Sequence, residues 1–312
     1  RHTRLLTVTG VQTCALPICI EIVRGSGAVL YGDGASLGVI NIITRSPGTQ
    51  KSGVTVEGSY GSYDTHELQL YGNLNGERAG FSVQAIDRAS GGYRDNNHNR
   101  QHNLLADLYW LPGLGEITLK LAADRQGIRL PGARQIQPSL NVNQFISDKR
   151  GAQTPLDYAS RDGDRALLDW RVPTSFGEFN LSGGWRGKEQ KSYFDFSGFP
   201  NYRIADLNVL SLTPRVKVTL PLAGHANTLI AGVDSYRWDY RLLVSNAPGN
   251  ITRPINTVEA QQQNTAIYLQ DTLQLTQRFS VTAGARRERF NIDATDRYNA
   301  AAPGGEIGRA HV

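Results

Sequence analysis

Residues 104–121, LLADLYWLPGLGEITLKL, hold two alternating runs back to back. Leu104, Ala106, Leu108 and Trp110 take every second position, with Asp107 and Tyr109 between them. After Leu111-Pro112-Gly113, the alternation resumes as Ile117, Leu119 and Leu121 around Thr118 and Lys120. A period of two sends successive side chains to opposite faces of an extended chain. Pro-Gly cannot continue a strand and favours reversal. The stretch therefore predicts an antiparallel hairpin with one apolar and one charged face.

The same pattern extends in both directions. Val54 and Val56, Leu68 and Leu70, Phe81, Val83 and Ala85 alternate with polar residues on the N-terminal side. Ala166, Leu168 and Trp170, then Phe179 and Leu181, then Phe279, Val281, Ala283 and Ala285 do so on the C-terminal side. Short turns are expected at Asn75-Gly76, 111–113, 173–177, 221–227 and 276–278. Longer polar connections are expected at 88–100, 125–163, 187–207 and 241–262. Short and long connections thus alternate over about eleven strands, with the short link at Gly61–Asp64 as the exception. Such parity puts all tight turns at one end and all long loops at the other, as in a membrane barrel. The polar face carries Glu57, Glu67, Asp107, Lys120, Asp124, Asp169 and Arg171, which suits a wet interior and not lipid. Trp110 and Trp170 precede short turns and Trp238 lies near a long loop, the two heights of an aromatic girdle.

Composition agrees. Of 312 residues, 39% are hydrophobic and 20% charged, which is not the profile of a disordered tail. The chain has no run of about 18 apolar residues, which excludes a membrane helix but not membrane strands. The ends stand apart from this pattern. Residues 13–18 read Thr-Cys-Ala-Leu-Pro-Ile and residues 307–312 read Ile-Gly-Arg-Ala-His-Val. One set of codons for the second, ATC GGA AGA GCA CAC GTC, has a reverse complement that encodes the first when read one base out of phase. Residues 1–19 and 306–312 are therefore expected to be adapter-like and non-native. Without them the net charge of +5 falls to about +3, a weak argument for nucleic acid. Cys14 and Cys19 lie within or at the edge of such a segment, so no disulfide or redox motif is inferred.

Residues 20–45, IEIVRGSGAVLYGDGASLGVINIITR, break the hairpin pattern. Two apolar strands, Ile20–Val23 and Val39–Ile43, flank a glycine-rich stretch. Gly25-Ser26-Gly27 begins a dinucleotide-binding motif, but Leu30 holds the third glycine position and no amphipathic helix follows. The glycines read better as tight turns and close packing.

This segment resembles the end of the plug domain of TonB-dependent outer-membrane receptors, through Ile20–Gly25, Leu30-Tyr31-Gly32, Gly34-Ala35 and Gly38–Thr44. Ser26 and Leu37 depart from the family pattern, which has proline and glycine there. The match covers about 25 residues; beyond it Tyr268–Gln270 and Ala283–Arg286 match in style. The resemblance implies an all-β fold, a partial transmembrane antiparallel β-barrel of about 11 strands out of about 22 with the tail of an N-terminal plug. Residues 20–48 would be plug and 49–305 the first half of the barrel. The implied function is TonB-dependent uptake of a scarce ligand, a ferric siderophore or else cobalamin, with no enzymatic step and no cofactor. TonB, the ligand and outer-membrane lipid are the implied partners.

Charge placement then suggests a latch. Arg24 and Arg45 of the plug tail, buried in a lumen lined by carboxylates, need partners, and Glu57 and Glu67 on the first inward-facing strands are candidates. Ligand contacts are expected from the loop residues Tyr93, His98, His102, Tyr193, Phe194, Phe196 and Tyr202. His98 and His102 lie in an Asn-rich stretch, which argues against a metal site. The competing readings are a passive porin, an outer-membrane enzyme and a soluble β-protein. A porin would lack the glycine-rich prelude, and no Ser/His/Asp motif supports a hydrolase.

Overall fold

A computed structural model describes residues 3–5, 17–24, 27–32, 35, 37–44, 47, 51–196, 198–297 and 305–311, with backbone alone at 3–5, 17–20, 23–24, 42–44, 196 and 305–311. Strands β1 (Thr3–Leu5), β2 (Pro17–Arg24) and β3 (Gly38–Thr44) pair antiparallel in that order, with one helical turn, α1 (Ala28–Tyr31), between β2 and β3. A second, twelve-stranded sheet follows. Its strands are β4 (Gly53–Gly61), β5 (Thr65–Asn75), β6 (Ala79–Ser90), β7 (Asn99–Gly113) and β8 (Gly115–Arg129), then β11 (Tyr158–Thr174), β12 (Gly177–Phe196), β13 (Phe199–Leu222), β14 (His225–Ser245), β15 (Asn256–Gln274), β16 (Ser280–Asp296) and β17 (Gly305–His311). Each pairs antiparallel with its sequence neighbour. The connection from β8 to β11 carries a small hairpin of β9 (Ile136–Gln137) and β10 (Val142–Asn143), and the turn α2 (Gln144–Ser147).

Turns join the strands where the alternation stops, at 76–78, 114, 175–176, 223–224 and 275–279. At the opposite end, 91–98, 130–157 and 246–255 are the longer connections. One expectation fails there. Residues 187–207 are no loop, because β12 and β13 run on to Phe196 and Phe199 and turn within two residues. At about 3.3 Å per residue, strands this long reach well past the 9–11 residues that cross a bilayer. Beyond lipid both faces meet water, so the period-two signal fades while the ladder continues. Similarly, His102 lies on β7 and not in a loop. At the far edge of the sheet, Gly305–His311 pairs with β16. An open sheet edge presents unpaired N–H and C=O groups that any extended segment can satisfy.

Register fixes the two faces. Leu68 and Leu70 on β5 share a face with Ala85 and Asp87 on β6, Leu104 and His102 on β7, and Leu121 on β8. That face continues through Leu168, Trp185, Leu210, Val233, Ile267 and Val281. These apolar side chains are largely exposed, Ile267 at 58% and Leu68 at 53%. Water would not support such a band, and hydrocarbon would. Towards the long-loop end the same face turns charged: His102–Asp87, Arg125–Asp164 at 3.0 Å and Arg241–Glu259 at 3.8 Å. This change marks where lipid tails give way to head groups. Trp110 and Trp170 lie on the outward face near the short turns, and Trp170 Nε1 donates to the Leu114 carbonyl at 3.0 Å. Trp238 departs from its expected girdle position: it lies on the inward face, under the Arg186 guanidinium at 5.5 Å.

The inward face is the polar one. Arg88–Glu67 at 3.0 Å, Arg161–Asp124 at 2.9 Å and Arg171–Glu116 at 2.7 Å connect neighbouring strands across it. Leu269→Arg on the outward face should lower the unfolding free energy by ~2–4 kcal/mol in a bilayer. The inward Gln69→Lys, beside Glu67, should change it by less than ~0.5 kcal/mol. Urea titration of liposome-embedded protein measures both.

Candidate functional site

The inward face meets the N-terminal segment at α1. Gly27 and Gly32 bracket this turn, and Gly32 takes φ +84°, a conformation that strains any L side chain. The turn lies against β15 and β16. Opposite it on β16, a Cβ at position 284 would come within 3.0 Å of Val29 Cγ1. Glycine at 284 thus lets the turn approach the wall.

One residue further along the inward face, Arg286 collects the charge. Its Nη1 donates to Asp234 Oδ2 at 2.7 Å and its Nε to Glu288 Oε2 at 2.9 Å. Nη1 also reaches the Val29 carbonyl of α1 at 3.5 Å, and the guanidinium lies 5.5 Å from the Tyr268 ring centroid. Arg286 and Asp234 are each only 10% exposed. A cavity of about 390 Å³ opens beside them, lined by Leu30, Tyr31 and Gly32 on one side and by Arg215, Asp234 and Tyr236 among the wall residues. Arg286 therefore joins strands β14 and β16 to the plug-like turn. Removing one member of such a desolvated pair strands the other charge.

The latch expected from the sequence concerns other residues. Glu67 pairs with Arg88 on the adjacent strand, and Glu57 is exposed. Arg45 and the side chain of Arg24 lie outside the described residues. Sequence reasoning missed Arg286, Asp234 and Glu288 as partners. The available signal was parity: 284, 286 and 288 share the inward face, where a glycine beside an arginine and an acid marks close approach.

At the long-loop end a second set of groups assembles. Arg94 spreads its guanidinium over the carbonyls of Gly132 at 2.6 Å, Pro131 at 3.1 Å and Gly151 at 3.0 Å. Asn96 Nδ2 donates to the Leu130, Thr154 and Asp157 carbonyls at 3.2, 2.7 and 3.0 Å. Two side chains of connection 91–98 thereby hold the long connection 130–157 by its backbone. Tyr93 packs edge-on to Tyr63 at 5.5 Å, with the Arg150 guanidinium 5.9 Å from its ring centroid. His98 is an exposed loop residue whose carbonyl accepts from Arg129 N at 2.9 Å. His102 Nδ1 lies 2.5 Å from Asp87 on the outward face.

Tyr193 and Tyr202 pair across β12 and β13 on the outward face, and Tyr193 stacks on Tyr158 at 6.1 Å. Burial, together with Tyr158, pushes the Tyr202 phenol above its usual range, so it stays a neutral hydroxyl. Phe194 takes the opposite, inward parity, and the Phe196 side chain lies outside the described residues. Of the expected ligand residues, Tyr93 therefore belongs to the loop cluster, while Tyr193 and Tyr202 belong to an outward aromatic group.

An outward apolar band, an inward polar face and a segment held inside together define an outer-membrane β-barrel protein. Residues 24–308 match the family described as TonB dependent receptor-like, beta-barrel, and the chain belongs to that family. The pesticin receptor of Yersinia enterocolitica is 23% identical over 287 residues, covering 86% of this chain and 40% of that protein. The vitamin B12 transporter BtuB of Vibrio cholerae is 41% identical over 75 residues, covering 24% of this chain and 12% of the relative. Among solved structures, the unliganded ferric citrate transporter FecA superposes with TM-score 0.78 at 18% identity, covering 95% of this chain and 45% of that one. The ferric yersiniabactin uptake receptor FyuA from Yersinia pestis gives 0.69 at 19%, covering 95% and 48%. The chain thus spans less than half the length of each, and at these identities the structural likeness concerns the fold.

Arg286→Ala, which leaves Asp234 buried without its cation, should lower the unfolding free energy by ~3–5 kcal/mol, and Arg286→Ala with Asp234→Asn by less than the sum of the single changes. A double-mutant cycle read by urea titration of liposome-embedded protein measures the coupling.

Proposed function

We propose that this chain is part of an active importer of the outer membrane, energised through TonB, whose cargo is an iron chelate. In this reading residues 20–48 are the end of the plug and 49–305 the first half of the barrel wall. The supporting observation is the Arg286 junction: α1 lies against the inward face, with its Val29 carbonyl 3.5 Å from the buried Arg286, where a passive porin keeps its lumen open. An occupied lumen requires work to open, and the inner-membrane partner TonB supplies it by pulling the plug. An iron chelate is favoured over cobalamin because FecA and FyuA, whose folds cover 95% of this chain, carry ferric uptake names, whereas the cobalamin-transporter match covers 24% of this chain. A latch between Arg24 or Arg45 and the carboxylates Glu57 and Glu67 belongs to the same proposal, as do loop contacts from Tyr93 and its neighbours. Outer-membrane lipid bathes the outward band.

Cells whose single iron receptor is the intact protein should take up radiolabelled ferric chelate, and a protonophore or loss of TonB should abolish that uptake. Uptake that persists without TonB and follows chelate concentration linearly would establish the porin reading instead.

A further inference from the structure

Several cations of the inward face take no part in the ion pairs that join its strands. Arg165 on β11 and Arg186 on β12 are direct cross-strand partners, and both face inward. Neither has a carboxylate within 4 Å among the described residues. Like charges placed directly opposite each other destabilise a sheet. The Arg186 guanidinium lies 5.5 Å from the Trp238 ring centroid, a contact that leaves its charge uncancelled. Nearer the short turns, Arg215 on β13 faces inward opposite Asn180 and likewise has no carboxylate within 4 Å among the described residues. Small side chains occupy the wall between Arg186 and Arg215, at the cross-strand pairs Gly184–Ser211 and Ser182–Thr213.

This stretch of wall borders the cavity of about 390 Å³ beside α1, whose lining includes Arg215, Tyr236, Trp238 and Tyr268. The two acids of that lining are already engaged, since Asp234 and Glu288 accept from Arg286 at 2.7 and 2.9 Å. Arg215 is therefore the lining cation whose charge no adjacent acid offsets. Trp238 Nε1 is buried and has no hydrogen-bond partner among the described residues. A buried N–H without an acceptor is costly, and a ligand oxygen removes that cost. An indole N–H is a donor only, and a guanidinium is a fork of donors that fits a carboxylate. A cationic ligand finds neither a free carboxylate nor a favourable field here, because Arg286 holds the acids and Arg165 and Arg186 stand above them.

We propose that the cavity beside α1 is a subsite inside the wall for a carboxylate-bearing anion, with Arg215 and Trp238 Nε1 as its donors and the Arg165–Arg186 pair as the approach from the long-loop end. The proposal rests on the importer reading above and specifies the charge and oxygen chemistry of what passes α1. Isothermal titration of the purified full-length protein tests it with three probes: iron(III) citrate, free tricarballylate and a neutral ferric tris-hydroxamate. Arg215→Gln should weaken the carboxylate probes about tenfold or more, the loss of a hydrogen bond between ions. Trp238→Phe should weaken them about threefold to tenfold, the loss of a neutral donor, and neither change should move the hydroxamate. Lys217→Gln removes an inward cation outside the cavity and should change every affinity by about twofold or less. Heat-modifiable gel mobility reports folding of each variant. If Arg215→Gln does not fold, Arg215→Lys, which keeps the charge but loses the fork, should still cost about threefold. A larger loss for iron(III) citrate than for tricarballylate assigns the subsite to the chelate, and the reverse assigns it to the free acid. Carboxylate affinity unmoved by the Arg215 and Trp238 changes overturns the proposal. So does an equal loss from Lys217→Gln, which marks a diffuse field and not a site. TonB-dependent uptake of an iron chelate that persists after either result leaves the importer reading standing alone. Absence of TonB-dependent uptake for every probe defeats the importer reading, whatever the cavity binds.

Discussion

Hydrocarbon offers a peptide group nothing to hydrogen-bond, and each unsatisfied N–H or C=O placed there costs several kcal/mol. The twelve-stranded sheet meets that demand by pairing each strand with its sequence neighbour in an antiparallel ladder. Once the ladder is obligatory, the period of two assigns every side chain to lipid or to the interior. Leu68, Leu168 and Leu269 face outward for this reason, while Asp107, Asp169 and Arg171 face inward. The same constraint accounts for the tight turns at the ends of the hairpins.

The interior then has to manage charge without bulk water on every side. It does so with ion pairs between adjacent strands and with one junction, Arg286 with Asp234 and Glu288, that also touches α1. That junction is poised between two requirements. Its groups are buried enough to matter energetically, yet the plug-like turn contributes a single backbone carbonyl to it at 3.5 Å. The wall thus keeps its own ion pairs whatever the position of α1, whose contact with it is long.

At the long-loop end the constraint is reversed. Water is available, so no ladder is compelled, and order comes from side chains that capture backbone carbonyls. Arg94 and Asn96 tie 130–157 to 91–98 in this way. The result is a rigid rim in which Tyr93, Phe145 and Arg134 hold fixed positions around a cavity. These loops are tied by side-chain bonds to backbone carbonyls, which carry no periodic signature in the sequence.

Alternation in residues 104–121 and its repeats, together with turn chemistry at 75–76 and 111–113, was sufficient to read strand order, handedness of faces and the inward position of Asp107 and Lys120. Local physics dominates there: a strand's faces follow from its own residues. The reading failed where the environment changes along one strand, as at 187–207, because water on both sides erases the pattern while the ladder persists. It also failed for Arg286, whose partners Asp234 and Val29 lie 52 and 257 residues away. The amino-acid sequence by itself determined an all-β chain with one lipid-compatible face. Tertiary structure alone decided which charges meet and which loops enclose a cavity, since both depend on register summed across many strands and not on any local pattern.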